Sequence, residues 1–236
     1  MRNILLLPGF MCDEDLWANI RPGLSAFGPP HFGDYGAGAT LAEMAARVLK
    51  SAPAQFTLIG FSMGGYVARE IARQEPERVE ALILIATSTR GDGPERTLQK
   101  DDLARLSQRS SFRGLSRLAR RTSLHPERMD NEILLDRLQA MALRVGKEAF
   151  VRQLRLVRGG SQNELKNILS PTLVVAARQD QLRSIKEADE LVAGIPDAKL
   201  AIIENSGHMI PMEQPDQLLG VITQWLTQPK AKIFVP

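Results

Sequence analysis

Apolar residues along the chain fall into two kinds of segment. Short, nearly continuous apolar runs occur at Asn3–Leu7, Phe56–Ile59, Ala81–Ala86, Thr172–Ala176 and Leu200–Ile203, with a less regular stretch at Pro30–Phe32. Runs of this length without polar alternation fit strands buried on both faces, which is how parallel sheets read. Between them lie longer segments with helical periodicity: Leu41–Lys50, Met63–Gln74, Ser184–Ala193 and Pro215–Leu226. Pro215 suits a first helical position, and Asp216 complements the positive end of the helix. Strand and helix alternate, so the pattern predicts an α/β protein with a mostly parallel sheet of about six strands, helices on both faces.

The centre of the chain departs from that alternation. From about Thr97 to Leu169 the pattern is amphipathic and charged, with no convincing strand. The expected division is therefore a core made of residues 1–90 and 170–236, with a helical insert at residues 91–169. Arg105, Arg109, Arg113, Arg117, Arg120 and Arg121 fall at spacings that would align several of them on one helix face. Such a stripe reads either as a solvated face or as a basic wall over a pocket for an acidic substrate.

Composition narrows the class. Apolar residues make up 44% and charged residues 24% of 236 residues, the balance of a globular domain. A formal net charge of +3 is too small to argue for nucleic acid, although it suits an anionic small-molecule substrate. Cys12 is the only cysteine, so no internal disulfide forms and a reducing compartment fits. The apolar run after Met1 is too short for a signal peptide, and no segment approaches a membrane span. A cytoplasmic protein without a membrane partner is the expectation; composition says nothing of oligomeric state. His31, His125 and His208 are far apart in sequence, so no metal site is expected, and no cofactor motif is present.

The strongest chemical signal is Gly60-Phe61-Ser62-Met63-Gly64, a G-x-S-x-G sequence with an apolar strand before it and a helical pattern after it. A serine on a tight strand-to-helix turn takes a strained backbone, so residues two positions away on each side must be small. The turn lifts the Ser62 hydroxyl above the sheet, next to the positive end of the helix. A serine needs a base, and the base needs a partner that fixes its tautomer. His208 follows the last strand in a polar loop beside Gly207, at the carboxyl end where ligands of open α/β sheets gather. Asp180 occupies the equivalent place after Thr172–Ala176; Asp189, within a helix pattern, and Glu204, abutting a strand, are the weaker candidates.

With these residues in hand, the whole chain resembles the α/β-hydrolase superfamily, especially its small esterases, lactonases and C–C-bond hydrolases. The order Ser62, Asp180, His208 matches. So do Leu7-Pro8-Gly9-Phe10 with Trp17, Pro76-Glu77-Arg78-Val79, and Gly207-His208 followed by Glu213 and Pro215. Pro8 stands where the family commonly has histidine, and Ala177 where glycine is frequent before the acid. The resemblance implies a core lacking the family's two antiparallel N-terminal strands and an insert that forms a lid. It also implies an oxyanion hole from the backbone N–H groups of Phe10 and Met63. Met11, Arg113 and Arg117 are the candidate substrate contacts. The implied reaction is hydrolysis of a small carboxylic ester or lactone through an acyl-enzyme. C–C-bond, thioester or elimination chemistry on an acidic substrate is the alternative, and a binding protein that has lost turnover is a second.

Overall fold

The computed structural model describes residues 2–158, 160 and 162–228. In chain order the elements are β1 (Ile4–Leu7), α1 (Arg21–Leu24), β2 (Pro30–Phe32), α2 (Leu41–Ser51), β3 (Phe56–Phe61), α3 (Met63–Gln74) and β4 (Val79–Ile85). Then come α4 (Pro94–Arg109), α5 (Arg117–Thr122), α6 (Glu132–Arg155), β5 (Thr172–Ala177), α7 (Ile185–Gly194), β6 (Ala198–Ile203), α8 (Ile210–Glu213) and α9 (Pro215–Thr227). The strands form one six-stranded sheet in the order β2-β1-β3-β4-β5-β6, each neighbouring pair parallel.

The continuous apolar runs become strands covered on both sides, and their two-residue alternation sorts the core into two layers. Ile4, Leu6, Ile59, Phe61, Ile83, Ile85, Leu173 and Val175 face one way, onto Trp17 and onto Leu218, Ile222 and Trp225 of α9. Leu5, Leu7, Leu58, Leu82, Leu84 and Val174 face the other way, onto Met44 and Val48 of α2, Val67 and Ile71 of α3, and Leu191 of α7. Local signals set the helix starts. Thr40 accepts from the Glu43 N–H at the start of α2, and Ser184 with Glu187 makes a capping box at α7.

Chain order reverses across β1, whose two neighbours are β2 and β3. At such a switch point the loops leaving adjacent strands diverge and open a crevice at their carboxyl ends. The loops after β1 and β3 carry Phe10 and Ser62, so the fold places the candidate site there.

Residues between β4 and β5 form only helices and loops among the described residues, as the amphipathic pattern predicts. The arginine stripe, however, is broken. Ser110 ends α4, Gly114 takes a φ of 78°, and Ser116 caps a new helix by accepting from the Ala119 N–H. Arg105 and Arg109 therefore lie on α4, Arg113 in the connecting loop, and Arg117, Arg120 and Arg121 on α5. They share no common face.

Candidate active site

The turn from β3 into α3 explains its own sequence. Ser62 has φ 50° and ψ −111°, a region that costs a non-glycine residue about 1–3 kcal/mol. Two hydrogen bonds hold it there: the Ser62 N–H donates to the Ile85 carbonyl (2.8 Å), and the Thr87 hydroxyl donates to the Ser62 carbonyl (2.8 Å). A Cβ at Gly64 would lie 2.3 Å from the Leu7 carbonyl oxygen and 2.5 Å from that of Pro8. The glycine is thus required because the β1 loop passes directly over the start of α3.

His208 reaches the serine from the loop after β6. Its Nε2 lies 2.8 Å from Ser62 Oγ, and its Nδ1 lies 2.7 Å from Asp180 Oδ2. An ionised carboxylate can only accept, so the arrangement places the imidazole hydrogen on Nδ1 and leaves Nε2 to accept from the serine hydroxyl. The three groups are shielded from solvent: Ser62 is 8% and His208 6% exposed, and the Asp180 side chain is 1% exposed. The Phe61 ring packs on the imidazole at 5.1 Å between centroids. Asp189 lies within α7 and Glu204 pairs with Arg178 at 3.0 Å, so neither takes the place of Asp180 beside His208.

Each partner of this chain of hydrogen bonds is itself fixed. The other oxygen of Asp180, Oδ1, accepts from the N–H groups of Leu182 (2.7 Å) and Arg183 (3.0 Å). The loops after β5 and β6 are tied to each other where the Gln179 N–H donates to the Ser206 carbonyl (3.1 Å) and the Ser206 N–H to Gln179 Oε1 (3.3 Å). Below the histidine, the wholly buried Glu213 carboxylate accepts from the N–H groups of Gly207 (2.9 Å) and His125 (2.7 Å) and from Arg128 Nε (3.3 Å). Gly207 has no room for a side chain, because a Cβ there would sit 2.3 Å from the Leu124 carbonyl carbon. The insert therefore runs in backbone contact with the His208 loop.

On the opposite side lies the loop after β1. The Tyr35 hydroxyl donates to the Pro8 carbonyl. Met11, at φ 55°, donates its N–H to Gln153 Oε1 of α6 (2.9 Å), and the Cys12 N–H donates to the Gly9 carbonyl (3.2 Å). Those two bonds commit the N–H groups beyond Phe10. The Met63 N–H, at the first position of α3, has no intrahelical acceptor.

Ser62 and His208 open into a cavity of about 270 Å³. Phe10, Phe61, Leu115, Leu154, Leu182 and Met209 give it an apolar lining, and Arg96, Lys100, Arg158 and Arg183 a basic one. Of the substrate contacts expected from sequence, none lines this cavity. Met11 is 1% exposed and packs with Ala142, Phe150 and Leu154, its side chain drawn into the insert's own core. Arg117 is exposed and paired with Glu132 at 2.5 Å; Arg113 is exposed on a neighbouring depression with Ser111, Gly114 and Phe150. The basic residues that do line it, together with Gln153 on the Met11 N–H, carry no local signature in the sequence. Arg158 follows a helix and precedes two glycines, and Arg183 stands among other polar residues after Asp180.

Among the described residues no group of three or more His, Cys, Asp or Glu side chains forms a metal-binding cluster, and no helix is long and apolar enough to cross a membrane.

A parallel sheet wound about a switch point, with a serine at a strained strand-to-helix turn and a histidine–aspartate pair converging on it, defines the α/β-hydrolase fold. The chain belongs to the alpha/beta hydrolase family, whose sequence profile matches residues 4–221, and is an enzyme of that family. It is 28% identical over 246 residues to a pimeloyl-[acyl-carrier protein] methyl ester esterase of Citrobacter koseri, covering 98% of this chain and 94% of that one. The corresponding Klebsiella pneumoniae protein is 38% identical over 95 residues, a match confined to 36% of this chain and 37% of the relative. Among solved structures, an esterase of Thermogutta terrifontis superposes with a TM-score of 0.84 at 24% identity, covering 96% of this chain and 89% of that one. The enol-lactonase of Burkholderia xenovorans LB400 gives 0.81 at 20% identity, covering 96% and 92%. At these identities the two structures share the fold.

Proposed function

We propose that this enzyme hydrolyses small carboxylic esters or lactones through an acyl-enzyme on Ser62. The observation that carries the reading is the continuous hydrogen-bonded path from Ser62 Oγ through His208 to Asp180, with steps of 2.8 and 2.7 Å. Full-length similarity to a methyl ester esterase supports ester cleavage in particular.

In the first half-reaction, His208 Nε2 takes the hydroxyl proton as Ser62 Oγ bonds to the substrate carbonyl carbon. Asp180 holds the imidazole in orientation and stabilises its positive charge. The N–H groups of Phe10 and Met63 receive the carbonyl oxygen as it becomes an oxyanion; one such donor contributes about 2.7–4 kcal/mol to the transition state. The intermediate then collapses: the ester C–O bond breaks, and the leaving oxygen takes the proton from His208. Water, deprotonated by the same nitrogen, attacks the acyl-enzyme, releases the acid and restores Ser62. The buried setting keeps the charges of this sequence in a medium of low dielectric, where fixed donors act strongly.

A fluorophosphonate probe with a panel of short-chain esters and lactones tests the reading. Wild-type protein is expected to lose activity on labelling, with the adduct on Ser62, and Ser62→Ala to be both inactive and unlabelled. Labelling elsewhere with turnover intact would move the nucleophile. Absence of both labelling and turnover would favour a binding protein on the same fold.

A further inference from the structure

We propose that Arg158 and Arg183 form an anion subsite in the cavity of Ser62, selecting esters that carry a free carboxylate elsewhere in the molecule. The proposal rests on the esterase reading above and specifies its substrate class.

Several arginines of the insert are ion-paired at the surface. Arg117 pairs with Glu132 and Arg121 with Asp130, while Arg144 pairs with Asp13 and Asp15. Arg158 is different. It is 9% exposed, yet its guanidinium has no ion pair among the described residues; its buried Nε, like those of Arg120, Arg121 and Arg152, has no hydrogen-bond partner among them either. Its neighbour in recognition is a ring: the guanidinium lies over Tyr66, 5.4 Å from the centroid. Tyr66 is on the first turn of α3, immediately after Ser62, and its hydroxyl is anchored by donating to the Arg90 carbonyl (2.9 Å). Burial pulls the Arg158 pKa below the ordinary arginine value. A long flexible side chain reaches water readily, so an unpaired guanidinium held inside has a cost of desolvation that an incoming anion would offset.

Arg183 completes the pair. The turn built on Asp180 Oδ1 directs it back to the cavity, where its Nη1 donates to the Leu182 carbonyl (3.0 Å) and lies 3.7 Å from Glu187 Oε1. Its Nε too is buried without a hydrogen-bond partner among the described residues. The acid that orients His208 thus also positions a cation beside the substrate.

Charge selects the ligand. Arg96 and Lys100 already share Asp92, at 3.2 and 2.6 Å; Glu187 lies 3.7 Å from Arg183, and Asp180 accepts from the Arg183 backbone N–H while facing His208. Setting Arg96, Lys100, Arg158 and Arg183 against Asp92, Glu187 and Asp180 leaves one positive charge uncompensated. That is the complement of a single carboxylate, whereas a doubly charged phosphate would exceed it. The planar fork of each guanidinium suits both carboxylate oxygens, and the apolar lining from Phe10 to Met209 accommodates the chain between the two ends of the substrate.

The test uses monomethyl esters of succinate, adipate and suberate, each against the neutral methyl ester of the same acyl chain length. At least one half-ester should exceed its neutral partner in kcat/KM by roughly tenfold, the worth of one charge-assisted contact. Arg158→Met should lower that ratio by a similar factor, Arg183→Gln by less, and Arg158→Lys should retain part of it; thermal melts confirm folding of each variant. No preference in the wild type, or equal losses on both substrates, would overturn the subsite. If neutral esters are cleaved and fluorophosphonate labels Ser62, the esterase reading survives that failure. If no ester is turned over, calorimetric titration of Ser62→Ala with monomethyl adipate decides the subsite alone. Binding weakened roughly tenfold by adding Arg158→Met supports it, while equal binding, or none, in both proteins overturns it.

Discussion

Removing the carboxylate of Glu213 should destabilise the fold and disable the base together. Its side chain is wholly buried, and the Gly207 and His125 N–H groups that donate to it are in the loop of His208 and the insert segment against it. Glu213→Ala deletes both bonds and leaves two sheltered donors unmatched. Hydrogen bonds to a charged acceptor contribute roughly 1.5–3 kcal/mol each, so the pair amounts to about 3–6 kcal/mol. The Arg128 contact adds at most about 1 kcal/mol, because that side chain is 28% exposed and screened. Water entering the vacated space returns part of the loss, which favours the lower end, about 3 kcal/mol. For a chain of this size that corresponds to a fall in Tm of roughly 6–12 °C. Glu213→Gln keeps one acceptor oxygen but turns an amide NH2 toward a donor, so it should lose about half as much. Urea unfolding measures the stability, and kcat is read well below the melting range, where it should fall because the imidazole loses its support. If Glu213→Ala unfolds within about 1 kcal/mol of wild type, the N–H groups find other partners and the reasoning fails.

Asp180→Asn should lower kcat by a factor on the order of 10⁴, since an amide cannot stabilise the imidazolium on His208; a rate near wild type would place the acid elsewhere. Gln153→Ala strips the acceptor from the Met11 N–H, loosening the loop that presents Phe10, so kcat should fall more than KM changes in steady-state assays. Ser62→Gly should raise Tm above that of Ser62→Ala, because only glycine adopts φ 50°, ψ −111° without strain; equal melting would show the turn to be relaxed. Half-buried Cys12 has its pKa pushed from 9.0 to about 12, first by burial and then by Asp13. Iodoacetamide at neutral pH should therefore leave the folded thiol unmodified. Between pH 9 and about 12 the folded state holds that proton while the unfolded state releases it, so stability should decline across this window and be unaffected by Cys12 below it. Urea titrations of wild type and Cys12→Ala would show the difference.

The sheet and the Ser62 turn were legible because each rests on a local cause. A strand buried on both faces must be apolar throughout, and β1, β3, β4, β5 and β6 begin and end within a few residues of the apolar runs; even Pro30–Phe32, with little pattern, forms β2 where sequence suggested it. The placement of His208 and Asp180 near Ser62 was foreseeable because a strand's carboxyl end is a place that sequence can mark. The basic lining was not legible, for the opposite reason. Helical spacing from Arg105 to Arg121 implied a continuous face, but Ser110, Gly114 and Ser116 interrupt it, and the surface carboxylates Glu132 and Asp130 take Arg117 and Arg121. Whether a given arginine has a partner depends on residues distant in sequence. The burial of Arg158 over Tyr66 without an ion pair among the described residues has no counterpart in the one-dimensional pattern.

The backbone contact between Gly207 and Leu124 bears on how this protein could be rebuilt. Together with the Met209 N–H donating to the Ser123 carbonyl, it welds Ser123–His125 to the loop of His208. A designer who exchanged the whole insert for one of another shape would also remove the floor beneath His208. Splice points that respect this seam would keep Ser123–His125 with the core and graft new sequence on either side, treating those residues as belonging to the sheet's chemistry although the chain enters them from the insert. Chimaeras cut on the two sides of the seam would then differ in turnover even if both present the same pocket walls.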